Sequence, residues 1–321
     1  MAGTKAGKVK VYPRLAPPAA LGYRDCPFTL ADEAMLQLAQ HIQRTPGIAG
    51  LDHVVIAVRD LERARDTFAR MGFSPAPRGV HSTGSSNHNI MLGSDYFELL
   101  HVPAANPLQA YYHDFLRQPE GLAALALAGN NANAAIPVLT KHGFEPSAPR
   151  DFSREVTQGG RTGTARFRLT NIAPHTTPGA QVFICQHFTP ELVWLPELQR
   201  HANGATGIAA VAFVADNIAY LAGVYGRVLG AWPERIEEGL IVATGSAPLA
   251  FCTRQTLQLR LRDVELPRRA APLAAALFIR VADRAHAARS LREGGFSPKR
   301  MSDGAYAIDA SEAHGVTLVF G

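Results

Sequence analysis

The stretch Gly50-Leu51-Asp52-His53-Val54-Val55-Ile56-Ala57-Val58 decides the fold. Its apolar and β-branched residues suit a pleated, half-buried surface, so it reads as a strand. A helix follows from Asp60 to Met71: Asp60 caps it, Leu61, Ala64, Phe68 and Met71 mark one face, and Gly72 stands just past its end. A later apolar run, Tyr96-Phe97-Glu98-Leu99-Leu100, contains an acid. The same grammar returns at residues 122–144, 208–230 and 273–296, where Gly295-Phe296-Ser297-Pro298 nearly repeats Gly72-Phe73-Ser74-Pro75. Internal repetition of this kind fixes the architecture before any single residue does. Only the first copy carries a histidine in its opening strand and a glutamate in its last.

Each copy closes with short strand candidates: 89–92 with 95–101, 165–169 with 181–187, 240–243 with 249–253, and 305–308 with 316–320. The order is strand, helix and about three strands, four times over. Such a unit lays one helix on one face of a small sheet and must cover the other face or leave it as a cleft. Pairing the copies gives an α+β protein of four βαβββ modules in two concave half-barrels, at 50–200 and 207–321. Residues 1–49 form a preceding arm, rich in Pro, Gly, Lys and Ala, and a helix over 29–42 capped by Thr29.

A chain of 321 residues with 47% hydrophobic and 18% charged side chains suits two ordinary globular domains. Its 32 basic and 27 acidic residues leave a scattered charge of +5. The densest basic patches, residues 5–10 and Arg268-Arg269, lack interleaved aromatics, which argues against a nucleic-acid groove. Three dispersed cysteines, Cys26, Cys185 and Cys252, supply neither a disulfide framework nor a zinc knuckle. No apolar stretch reaches the ~20 residues of a membrane span, and no signal peptide is expected. The expected location is cytoplasmic, and the expected partner a small-molecule substrate, with a homodimer left open.

Strand-helix-strands with His at the fourth residue of Gly50-Leu51-Asp52-His53-Val54-Val55-Ile56, and Glu98 in a late strand, resembles the vicinal oxygen chelate superfamily. That superfamily includes glyoxalase I, extradiol dioxygenases and fosfomycin-resistance proteins. The nearest resemblance is to its glyoxalase-like branch, through His88-Asn89, Tyr96-Phe97-Glu98-Leu99-Leu100 and the string from Cys185 to Trp194. It covers residues 50–321 and implies the glyoxalase/bleomycin-resistance/dioxygenase type of half-barrel. It also implies ligands on the first and last strands of a module, which here are His53 and Glu98. Imidazole with carboxylate suits Zn, Fe(II), Mn or Ni. Aligning the copies puts Ala124, Ala210 and Ala276 opposite His53. Counting forward from the glycine before each last strand puts Ile184, Ala250 and Phe320 opposite Glu98.

The third ligand is expected to be His187, although period-two counting from Ile184 puts His187 on the other face and favours Gln186. His88, Asn89, Gln186 and Glu191 are the expected substrate contacts, with Trp194 either at the pocket wall or in the core. The plain alternatives are a hydrogen-bonded structural histidine at His53 and an arginine salt bridge at Glu98. The expected function is a metal-dependent lyase or isomerase acting on a small carbonyl or vicinal-oxygen compound, with Glu98 as base. A ring-cleaving dioxygenase and a non-catalytic small-molecule-binding protein are the alternatives.

Overall fold

The computed structural model describes residues 44–103, 107–158 and 161–321; the arm and the helix expected over 29–42 lie outside them. Sixteen strands form one continuous hydrogen-bonded system. The first half contains β1 (Ile48–Ala57), β2 (Gly79–Val80), β3 (Ser86–Met91), β4 (Tyr96–His101), β5 (Gly121–Gly129), β6 (Arg150–Gln158), β7 (Arg161–Asn171) and β8 (Gln181–His187). Their order, β2-β3-β4-β1-β5-β8-β7-β6, curves into a half-barrel. The second half repeats this as β10-β11-β12-β9-β13-β16-β15-β14. Its strands are β9 (Ala205–Val214), β10 (Glu234–Ile236), β11 (Gly239–Val242), β12 (Leu249–Cys252), β13 (Leu273–Val281), β14 (Lys299–Arg300), β15 (Tyr306–Ile308) and β16 (Thr317–Phe320). The pair Ala274–Leu122 joins the halves through β13 and β5.

Each module has its expected helix: α1 (Leu61–Arg70), α3 (Ala132–Lys141), α4 (Ile218–Leu229) and α6 (Arg284–Glu293). Asp60 accepts the Arg63 amide at 3.0 Å, which satisfies one free N–H of the first turn of α1. Gly72 ends α1 with φ +86°, and a Cβ there would meet Ser290 Oγ at 2.3 Å, so both backbone and packing require glycine. The helices lie between the two half-barrels. Phe68, Phe97, Leu125 and Ile184 from the first half share one buried core with Phe213, Phe251, Leu277 and Phe320 from the second. Both concave faces therefore point away from the shared core. Among the described residues no helix is long and apolar enough to cross a membrane.

Two helices were not legible in the module pattern: α2 (Ala110–Phe115) and α5 (Arg254–Arg260). The second decides the fate of its half-barrel. Leu257 on α5, followed by Leu261, Val264 and Leu266, packs onto Ala209, Ala210, Ala212, Ala250, Ala275 and Ala276 of the concave face. The alanines leave room for the leucines, and the second half-barrel is filled rather than open.

The four long strands share one irregularity. An extra residue bulges from each ladder: Asp52 in β1, Ala123 in β5, Ala209 in β9 and Ala275 in β13. A bulge places two residues opposite one and re-aims a side chain. The residues after these bulges are His53, Ala124, Ala210 and Ala276, the set expected from aligning the helix stops for Ala124 and Ala276 and the strand starts for Ala210.

The count along the last strands needs correction. Val55 pairs with Glu98, and its counterparts Ala126, Ala212 and Phe278 pair with Phe183, Ala250 and Val319. Phe183 and Val319, not Ile184 and Phe320, stand opposite Glu98. The chain enters β8 and β16 one residue earlier after its glycine than it enters β4.

Candidate functional site

The first half-barrel keeps a cleft of about 110 Å³ on its concave face. Period two decides what enters it. Tyr96, Glu98 and Leu100 of β4, Asn87 and Asn89 of β3, and Gln181, Phe183 and Cys185 of β8 all line it, as does His53. The alternate residues, Phe97, Leu99, Ile90, Val182 and Ile184, turn to the helical core.

His53 and Glu98 are both buried, and His53 Nε2 lies 3.8 Å from Glu98 Oε2. The bulge brings Asp52 to the same side as His53, where its Oδ1 meets His53 Nδ1 at 2.6 Å and His187 Nε2 at 3.2 Å. Burial opposes ionisation of Asp52, but attraction and hydrogen bonds from His187, together with His53, outweigh it and hold the carboxyl far below its ordinary range. An ionised carboxylate only accepts, so His53 Nδ1 and His187 Nε2 carry the hydrogens. His53 Nε2 is left facing Glu98. Tyr96 stacks on the imidazole at 4.2 Å and Phe183 meets it edge-on at 5.5 Å, which fixes the ring plane.

The other oxygen of Glu98 accepts a short hydrogen bond from Asn87 Nδ2. His81 Nε2 lies 3.9 Å from that same Oε1, and His81 Nδ1 is 2.8 Å from Ser85 Oγ. Burial pushes the His81 pKa down; Glu98 opposes this, while Arg154 and His53 add to it. The result favours a neutral imidazole, the form that ligates metals. No arginine ion pair to Glu98 forms among the described residues, so the plain alternative of a salt bridge does not describe this carboxylate.

The remaining expected residues divide clearly. His187 is on the cleft side, because its parity follows Phe183 and Cys185, but its Nε2 faces Asp52 and not Glu98. The ligand atoms of Asp52, Cys185 and His187 lie within 4.8 Å of one another, forming a second donor group beside the first. Gln186 has the opposite parity: its Oε1 accepts the Ala132 amide at 3.3 Å at the start of α3. His88 also points away, with Nδ1 2.7 Å from the Ala76 carbonyl and Nε2 3.6 Å from Glu62. Asn89 does line the cleft, whereas Glu191 is exposed on a short turn outside it. Trp194 packs at 4.8 Å on His187 and 5.8 Å on Tyr96, in the supporting layer.

Sequence reasoning missed Asp52, His81, Asn87, Arg150 and Arg154. Two consecutive polar residues in an apolar strand, Asp52-His53, break period two and signal the bulge. Counting by two from Asn89 selects Asn87 over His88. The arginines sit on β6, a strand without an apolar run, and carry no such signal. A larger open depression of about 1,040 Å³ lies along α1 and is lined by side chains of both charges, including Arg59, Glu62, Arg63 and Glu265. It contains none of the histidine–glutamate set.

The model of a family described as "Glyoxalase-like domain" matches residues 51–229, more than half of the chain. A hypothetical protein from Staphylococcus aureus shares the fold with TM-score 0.62 at 14% identity, covering 84% of this chain and 98% of that one. A mutant of 4-hydroxymandelate synthase from Streptomyces coelicolor gives TM-score 0.56 at 13% identity, covering 85% and 92%. A xylose isomerase-like TIM barrel/4-hydroxyphenylpyruvate dioxygenase fusion protein gives TM-score 0.50 at 15% identity, covering 94% and 54%. At these identities the likeness is one of fold. A comparison with curated protein sequences finds no match.

Proposed function

The chain belongs to the glyoxalase-like domain family of the vicinal oxygen chelate superfamily, and from that premise we propose that it is a metal-dependent enzyme of the lyase or isomerase type. Its substrate would be a small carbonyl or vicinal-oxygen compound. One observation carries this reading: a histidine ring nitrogen and a carboxylate oxygen face each other 3.8 Å apart in a buried cleft. A neutral imidazole nitrogen and a carboxylate so placed would attract a cation. With ligand bonds of about 2.1 Å, donors up to about 4 Å apart can share one divalent ion.

The donor set suits such an ion. His53 and Glu98 would hold it, with His81 the third donor nearest to Glu98. Asp52 supplies the hydrogen-bonded carboxylate that fixes the tautomer of a ligating histidine. When bound, the ion would polarise a substrate carbonyl and stabilise negative charge on its oxygen. The chain's own groups do the rest. Glu98 is the acceptor for a proton on the carbon beside that carbonyl, and Asn87 orients its carboxylate. Tyr96, Phe183 and Leu100 give the cleft apolar walls that limit water.

Metal analysis of protein purified without a nickel column tests the proposal. His53→Ala and Glu98→Ala should each lower divalent-metal content while the protein stays folded, and turnover of 2-oxoaldehydes should fall with it. Full metal retention by both variants would remove the site. Iron with catechol turnover would favour the dioxygenase alternative, which also needs two histidines and one carboxylate. Small-molecule binding without metal would favour sequestration.

A further inference from the structure

The cleft has a cationic wall that the proposed chemistry leaves unused. β6 turns Arg150, Phe152 and Arg154 toward the cavity at period two. Neither guanidinium forms a hydrogen bond or ion pair with another described residue. Arg154 is partly buried; burial lowers its pKa, and Tyr96 and Glu98 oppose the shift from a distance beyond an ion pair. A partly buried guanidinium is stabilised by a partner, and the usual partner is an anion whose two oxygens match its fork. Gln181, buried in the same cavity, has its Oε1 without a hydrogen-bond partner. Both observations describe a lining with room for polar groups that the described residues do not supply.

We propose that the cleft takes a small carboxylic acid as its anion, with the carboxylate on Arg154 and the adjoining carbon directed at Glu98 and His53. This rests on the proposed reading of the site only for which end reacts. Size and charge both select the class. A cavity of about 110 Å³ holds a molecule of a few heavy atoms, well below the volume of drug-sized pockets. One negative charge matches Arg154, whereas the double charge of a phosphate would stand against Glu98. Arg150, four residues along the same face, adds positive potential that favours entry of an anion.

The test is an NMR titration of the protein, as purified, with glycolate, with its uncharged amide glycolamide, and with inorganic phosphate. Glycolate should bind saturably and more tightly than either comparator. Arg154→Gln should weaken glycolate about tenfold or more, as expected for loss of a hydrogen bond between charged groups, and leave glycolamide unchanged. Arg154→Lys should fall between, because it keeps the charge and loses the fork. Equal binding of glycolate and glycolamide, tighter binding of phosphate, no binding of glycolate, or an unaffected and folded Arg154→Gln would overturn the proposal. The wild-type comparison needs no variant, so a misfolded Arg154→Gln does not decide the result. Metal content measured on the same sample separates the two readings. Metal-free protein that selects glycolate refutes only the metal site, and metal-bearing protein that does not select it refutes only the carboxylate site.

Discussion

Removing the Asp52 carboxylate should disable the site without touching Glu98. In Asp52→Ala, His53 Nδ1 loses a 2.6 Å partner and His187 Nε2 a 3.2 Å partner, and both side chains are little exposed. Hydrogen bonds to charged groups contribute about 1.5–3 kcal/mol each, and breaking a buried charged pair costs about 3–5 kcal/mol. The expected loss is therefore about 3–5 kcal/mol, a large part of a domain's net stability of about 5–15 kcal/mol. Asp52→Asn keeps one acceptor oxygen and should lose about half as much. Metal affinity should drop roughly 10–100-fold in both variants, as for other partners that orient a ligating histidine. The pH dependence has a definite sign. Because folding holds the Asp52 pKa below its unfolded value, its stabilisation is present above the ordinary carboxylate range and drains as pH falls toward the folded pKa. Urea unfolding at pH 7 and at pH 3, with a metal titration at pH 7, checks all three statements. An Asp52→Ala protein within 1 kcal/mol of wild type at pH 7, with unchanged metal affinity, would refute the reasoning.

Two other perturbations probe the frame around the site. Leu257→Ala takes the plug out of the second half-barrel, so it should cost about 2–5 kcal/mol in urea unfolding and leave metal content unchanged. Asp95 is buried where β4 meets β9, accepting the Ile208 amide at 2.9 Å. Burial raises its pKa to about 7; the Ile208 N–H and Arg280 act against burial, and Asp52 acts with it. A raised carboxyl pKa means that stability falls as pH climbs from about 4 through 7. Asp95→Asn should therefore match wild type at or below about pH 4 and gain on it steadily toward pH 8 in thermal unfolding; a gap independent of pH would refute the assignment.

The fold was legible because its signals are local and repeated: caps, helix faces and glycine stops recur four times, and each repetition supports the others. The last strands were harder. A one-residue difference in the turn before β8 or β16 flips every side chain of the strand, so counting from Gly179 or Gly315 picked Ile184 and Phe320, one residue beyond Phe183 and Val319. That same slip made Gln186 look cleft-facing and His187 awkward, the reverse of what the ladder shows. The site was only half legible for a related reason. His53 and Glu98 are polar residues in apolar strands and stand out in the sequence. Arg154 and His81 reach the cleft from β6 and from the loop after β2, and only the closed curvature of the sheet brings them there.

The bulge shared by all four long strands explains why one half-barrel keeps a polar cleft while the other is filled. At that position the strand exposes two consecutive side chains on the concave side, so whatever residues stand there define the cleft floor. With Asp52-His53, the first residue meets Nδ1 of the second and sets its tautomer, while Tyr96 and Phe183 hold the ring plane. With Ala209-Ala210 and Ala275-Ala276, the floor is flat and apolar, and exposing it would be costly. The leucines of α5 and its following segment cover it, and in doing so close the space a ligand would need. Ala123-Ala124 is the intermediate case. It is equally bare, yet the floor beside it is occupied by the Asp52-centred group and Phe183, so the first half-barrel stays open. Placing histidine at Ala210 or Ala276 would therefore not recreate a site, because the obstacle there is a packed helix rather than a missing ligand.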